Sequence, residues 1–219
     1  MSRKIALIHA TPLSIDPINS AFRALWPEAR ATNLLDDSLS QDVAASGSLT
    51  PAMHARFCAL AGYVASGGAD AILFTCSAFG PCIETARRTV SVPTLKPNEA
   101  MIDAALATGG RIALVATFPP TIASMKAEFE EAARHRGARL DLTTHEVRGN
   151  AMAALEAGDT ERHDRLIAET VQAAGLADVV VLAQFSMARA APRVAEVTKA
   201  KVLTSPTSAI ARLRQLLGA

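Results

Sequence analysis

Short apolar runs alternate along this chain with longer stretches in which apolar residues recur every third or fourth position, the two periods that separate buried strands from amphipathic helices. Lys4 to Ile8 predicts a first strand, and Ala71 to Phe74 a second. The latter run is too short for a buried helix, follows a helix stop at Gly67-Gly68, and ends at Cys76. Val92–Leu95, Arg111–Ala116, Arg139–Thr144, Val179–Ala183 and Val202-Leu203 read as further strands. Helices are expected over Asn19–Trp26, from Pro51 to Gly67-Gly68, and over Pro81–Arg88, Asn98–Thr108, Thr121–Arg136, Asn150–Ala157, Thr160–Gly175, Met187–Ala200 and Thr207–Leu217. The second of these carries an N-cap and first-turn signal in Thr50-Pro51 and an apolar face of Met53, Phe57, Leu60, Ala61 and Val64. Residues 36–42 and 45–48 are polar without clear period and read as a lid or a loop. Strands alternating with helices predict an α/β protein with mainly parallel sheets and helices outside.

The pattern occurs twice. Ala177–Gln184 repeats Ala69–Cys76 at an offset of 108 residues, and Arg111–Val115 echoes Lys4–Ile8 at 107. Pro119 echoes Pro12 at 107, and Pro206–Ile210 echoes Pro97–Met101 at 109. Four matches in order at nearly one offset predict two pseudo-symmetric α/β lobes, residues 1–108 and 109–219, joined at Gly109-Gly110. The closing helix is free to pack back on the first lobe. The expected arrangement has a cleft between the lobes, with Cys76 and Gln184 on opposite walls.

With 219 residues, half of them hydrophobic, the chain can bury a full core. A net charge of +1 with interspersed signs displays no basic face for nucleic acid, so a small-molecule ligand is expected. Three cysteines without a CxxC pair argue against a disulfide framework and fit a reducing cytoplasm. No run approaches a membrane span or a signal sequence. A homo-oligomer is left open. No His/Asp/Glu spacing suggests a metal, and no glycine-rich phosphate loop is present, so no cofactor is expected.

In an open parallel sheet, ligands bind beyond the carboxyl ends of the strands, which is where Cys76 falls. A helix beginning near Pro81 is expected to lower its pKa and make it the most reactive thiol. The competing reading is a buried, inert cysteine. Cys58 and Cys82 lie within helices and read as packing. Thr11, Ser77, Thr117, Thr121, Thr204 and Ser205 fall at strand ends or helix starts, where their hydroxyls either hold a carboxylate or cap helices. His9 follows the first strand. His54, His135, His145 and His163 read as solvated surface.

Phe74-Thr75-Cys76-Ser77-Ala78, Leu182-Ala183-Gln184-Phe185-Ser186-Met187 and Leu203-Thr204-Ser205-Pro206 resemble the cofactor-independent aspartate/glutamate racemase superfamily, which includes hydantoin racemases, maleate isomerases and arylmalonate decarboxylases. The resemblance spans nearly the whole chain. It implies an enzyme acting at carbon alpha to the carboxylate, or the related imide carbonyl, of a small molecule. Cys76 is then the catalytic thiol, and His9 occupies the place of an acidic residue that assists a cysteine in glutamate racemases. Thr11, Pro12, Thr75, Ser77, Ala78, Thr117, Thr121, Gln184, Phe185 and Ser186 would surround the substrate. Gln184 stands at the family's second cysteine position, and Ser186 where glutamate racemases usually carry histidine. An amide cannot exchange a proton, so one-sided decarboxylation or cis–trans isomerisation is expected over two-base racemisation. Racemisation would need His9 or another second base, and a non-catalytic carboxylate-binding module is the alternative of another class.

Overall fold

The computed structural model describes residues 2–219 and divides into two compact units, one running to Pro97 with Ala209–Ala219 added, the other Asn98–Ser208. In the first unit, β1 (Lys4–His9) leads to α1 (Ile15–Leu25), β2 (Arg30–Leu35), α2 (Ser38–Ser46) and α3 (Pro51–Ser66). β3 (Ala71–Phe74), α4 (Gly80–Arg87) and β4 (Thr94–Leu95) complete it. In the second, α5 (Glu99–Thr108) precedes β5 (Arg111–Ala116), α6 (Pro119–Arg136), β6 (Asp141–Glu146) and α7 (Ala151–Glu156). α8 (Thr160–Ala174), β7 (Val179–Leu182), α9 (Ala191–Val197) and β8 (Lys201–Thr204) follow, and α10 (Ser205–Leu217) closes the chain.

Each unit holds a four-stranded parallel sheet, in the orders β2-β1-β3-β4 and β6-β5-β7-β8, so the sequence repeat is a repeat of topology. The inner strands β3 and β7 are buried along their whole length, as parallel strands covered on both faces require. Phe57 of α3 stacks on Phe74 at 5.3 Å between ring centroids, covering one face of the first sheet. Met101, Ile102 and Ala105 of α5 and Met125 and Phe129 of α6 cover one face of the second, while Ile167 and Val171 of α8 belong to the cluster on Val180 and Leu182.

The Ala-Asp pair ahead of β3 and of β7 has the same function in both sheets. Asp70 Oδ2 accepts the Lys4 N–H at 2.7 Å, and Asp178 Oδ2 accepts the Arg111 N–H at 2.7 Å, pinning each inner strand to its neighbour. Gly110, at φ +79°, is required here, because a Cβ would come within 2.5 Å of the Asp178 carboxylate. Thr50 caps α3 by accepting the Met53 N–H, as its sequence predicts.

Four expectations need correction. Residues 36–42 and 45–48, read as a lid or a loop, lie largely in α2, and residues 30–35, where no element was expected, form β2. β2 is an edge strand with one neighbour, so no continuous apolar run marks it. In α2 only Leu39 is buried, and Arg56 of α3 draws in Asp36 and Asp42 at 2.6 and 2.7 Å. The division between units falls at Pro97 rather than at Gly109-Gly110, because α5 buries its apolar face against the second sheet. The helix expected over Met187–Ala200 is a 3-10 segment, Phe185–Ala190, followed by α9, with Pro192 in the first turn of α9. His163, expected at the surface, has no exposure, and its Nδ1 meets Asp164 Oδ1 at 2.7 Å.

Candidate active site

In each sheet the residues just beyond the two inner strands form successive layers, fixed by register. Ile8 pairs with Phe74, so His9 lies beside Thr75, and Ala10 and Cys76 are the residues that follow. Val115 pairs with Leu182, so Ala116 lies beside Ala183 and Thr117 beside Gln184.

The first sheet's polar layer is closed on itself. His9 has no exposure; its Nδ1 lies 2.8 Å from Thr75 Oγ1 and 3.0 Å from Ser14 Oγ, and its Nε2 lies 2.9 Å from Asn33 Oδ1. A carboxamide oxygen only accepts, so Nε2 carries the proton and Nδ1 receives a hydroxyl. Burial holds the His9 pKa below its ordinary value, with the Asn33 hydrogen bond pulling the other way. Ser14 and Thr75 touch at 2.9 Å, and Ser14 donates to the Thr11 carbonyl at 3.0 Å. His9 therefore positions the strand end and does not present a free nitrogen. Ser14 and Asn33 belong to this network and carried no signal in the sequence, since the strand that brings Asn33 alongside His9 was itself unreadable.

One layer further, Cys76 is half-buried and begins the 3-10 turn Ser77–Phe79, with α4 starting four residues past the sulfur. That gap separates the thiol from the α4 terminus. Burial pushes the Cys76 thiol up, and the one opposing contact is the Ala78 backbone N–H. The expected lowering is thus reversed, and Cys76 rests as a protonated acid at neutral pH. Ser77 beside it is half-buried and Ala78 exposed. Cys82 is fully buried in the core of the first unit, and Cys58 packs against that core, as expected of structural thiols.

In the second sheet the Thr117 N–H and Oγ1–H both donate to Gln184 Oε1, at 2.8 and 3.0 Å. Gln184 is half-buried; the following Phe185 and Ser186 are buried, at 5% and 7% exposure. Thr121 is half-buried in the first turn of α6, but Pro119 and Pro120 occupy the opening positions and lack N–H groups. The Thr121 N–H is itself bonded to the Phe118 carbonyl at 3.0 Å, so this helix start offers few donors to an anion. Thr11 caps the 3-10 turn Pro12–Ser14, accepting the Leu13 N–H at 3.4 Å, with Pro12 exposed. Thr204 and Ser205 are buried and spend their hydroxyls internally, on Thr207 at 2.8 Å and Asn98 at 3.0 Å.

Two surface cavities, of about 650 Å³ beside Trp26 and Arg214 and about 590 Å³ beside His145 and Leu166, contain none of the candidate residues. Among the described residues no group of three or more His, Cys, Asp or Glu could hold a metal ion, and no helix is long and apolar enough to cross a membrane.

The fold has solved relatives. An allantoin racemase from Klebsiella pneumoniae is similar over 99% of this chain and 88% of its own, with a TM-score of 0.76 at 17% identity. An aspartate racemase from Picrophilus torridus is similar over 99% and 95%, with a TM-score of 0.73 at 14% identity. A glutamate racemase from Francisella tularensis, solved with D-glutamate, is similar over 99% and 81%, with a TM-score of 0.69 at 14% identity. No curated protein matches in sequence. The sequence profile of the Asp/Glu/Hydantoin racemases matches residues 9–213, almost the full span of both sheets, and the chain belongs to that family of enzymes.

Proposed function

We propose that this protein is a cofactor-independent enzyme acting at the carbon alpha to a carboxylate or imide carbonyl of a small molecule, with Cys76 as its single acid/base group. The observation that carries this reading is the inequality of the two strand ends: a free thiol follows β3, and an amide, which cannot exchange a proton, follows β7. A racemase needs a titrating group for each face of the carbon. His9 does not fill the second place, because both of its nitrogens are engaged inside the first sheet.

A thiol at rest suits proton donation. In decarboxylation, the electrons of the breaking C–C bond pass to the alpha carbon and its neighbouring carbonyl, carbon dioxide leaves, Cys76 gives its proton to the carbon, and the resulting thiolate regains one from water. Adding sulfur to a double bond, as cis–trans isomerisation demands, calls for the thiolate that burial opposes. The residues proposed to surround the substrate, Thr11, Pro12, Thr75, Ser77, Ala78, Thr117, Thr121, Gln184, Phe185 and Ser186, include no charged side chain, so developing negative charge on oxygen would be met by neutral hydrogen-bond donors. That set favours a monocarboxylate transition state or a neutral imide over a ligand demanding salt bridges.

The test is a panel of amino acids, hydantoins, maleate and substituted malonates incubated in heavy water and read by NMR and chiral chromatography, with Cys76→Ala as control. Deuterium entering product with one handedness supports the proposal. Full racemisation of an amino acid at a catalytic rate refutes it and implies a second base, and no turnover of any member favours a binding module.

A further inference from the structure

We propose that Thr117 is a positioning residue that locks the Gln184 carboxamide so that it meets its ligand as a donor only, restricting the group it recognises to an acceptor such as a carbonyl or carboxylate oxygen. The inference rests on the reading that Gln184 touches the substrate and adds to it which chemical group is read there.

The two ends of a carboxamide are nearly alike in shape and opposite in hydrogen bonding, so a free glutamine offers either end to a ligand. Gln184 has lost that freedom. A backbone N–H can only donate, and the Thr117 N–H lies 2.8 Å from Gln184, which identifies the contacting atom as the oxygen. The Thr117 hydroxyl adds a second donor at 3.0 Å. Turning the amide over would set its NH2 against the N–H in a donor–donor clash. Among the described residues Nε2 has no hydrogen-bond partner, and the residue stays half-buried, so its two protons are the end left to a ligand.

The first sheet supplies an internal comparison. There the residue equivalent to Thr117 is Ala10, buried and without a hydroxyl. A thiol has no two-ended ambiguity to resolve, and its one backbone donor comes from Ala78 on its own loop rather than from the neighbouring strand; the amide has the ambiguity and takes its donors from Thr117. Thr117 and Gln184 thus form a matched pair that replaces alanine and cysteine.

The experiment uses the full chain with isotope-labelled glutamine, the Gln184 side-chain signals being assigned through Gln184→Glu. In the ligand-free protein the Thr117 amide should be protected from hydrogen exchange. Titration with acetate and with hydantoin should move the Gln184 Nε2 protons, and the donor-only methylammonium should not. Thr117→Val keeps the backbone donor and removes the hydroxyl, and should weaken both shifts about fivefold, with Thr117→Ser restoring them. Rapid exchange of the Thr117 amide, or titrations unchanged in Thr117→Val, would overturn the lock. A protected Thr117 amide with no probe moving the Gln184 protons would leave the clamp in place but overturn the recognition role, and with it the reading that Gln184 touches substrate.

Discussion

The two sheets share strand order and register, yet they place their polar residues one layer apart. Beyond the inner strands of the first, the near layer is polar, His9 beside Thr75, and the residues that follow are Ala10 and Cys76. Beyond those of the second, the near layer is Ala116 beside Ala183, and the next is Thr117 beside Gln184. The difference separates two uses of polar groups. His9 and Thr75, at 0% and 5% exposure, are sealed within the sheet and must satisfy each other, whereas the half-buried Gln184 satisfies one end of its amide and keeps the other without a partner among the described residues. A polar residue one position earlier is enclosed by its neighbours; one position later it stays partly open.

Removing the thiol tests this comparison most severely. Cys76→Ala should lower turnover of any panel substrate by roughly a hundredfold or more, the usual contribution of a positioned proton donor, with little change in the thermal midpoint. Equal loss in Cys58→Ala or Cys82→Ala would break the assignment. Copying the first sheet's outer layer into the second, as Gln184→Cys with Thr117→Ala, should supply a second exchanging group and let deuterium enter products of both handedness in heavy water, read by chiral chromatography. Product of unchanged handedness would show that the layers are not interchangeable.

His9 should register in stability before activity. His9→Leu leaves Asn33, Ser14 and Thr75 short of a partner and should cost about 1–3 kcal/mol in urea unfolding. The sign of its pH dependence follows from burial, which lowers the folded-state pKa. As pH falls through about 6.5, the unfolded chain takes up the proton first. The wild type should therefore hold its full stability above that value and lose it progressively below, and His9→Leu should flatten that slope. The smallest expected effect concerns alkylation. Because burial raises its pKa, Cys76 should react with iodoacetamide at pH 7 a few-fold more slowly than free cysteine, and accelerate as pH climbs past about 8.5. Faster reaction than free cysteine would restore the helix-lowered thiol that the sequence alone suggested.

What the chain determined by itself is the repeated α/β pattern, because strands covered on both faces must be apolar throughout and therefore stand out as runs: Ala71–Phe74 and Val179–Leu182 are buried at every residue. It also placed Cys76 and Gln184 beyond equivalent strands, since position relative to a strand end is a one-dimensional property. β2 escaped because an edge strand with one neighbour need not be apolar, and without it Asn33 could not be seen to hold His9. His163 looked like a surface residue among charges, and its burial depends on which face of α8 packs inward. Only the tertiary structure decided the state of the thiol, because desolvation is a sum over everything packed around the sulfur, and here it outweighs the nearby backbone donor. Likewise Thr117 and Gln184 lie 67 residues apart, and only the pairing of β5 with β7 makes them hydrogen-bonded neighbours.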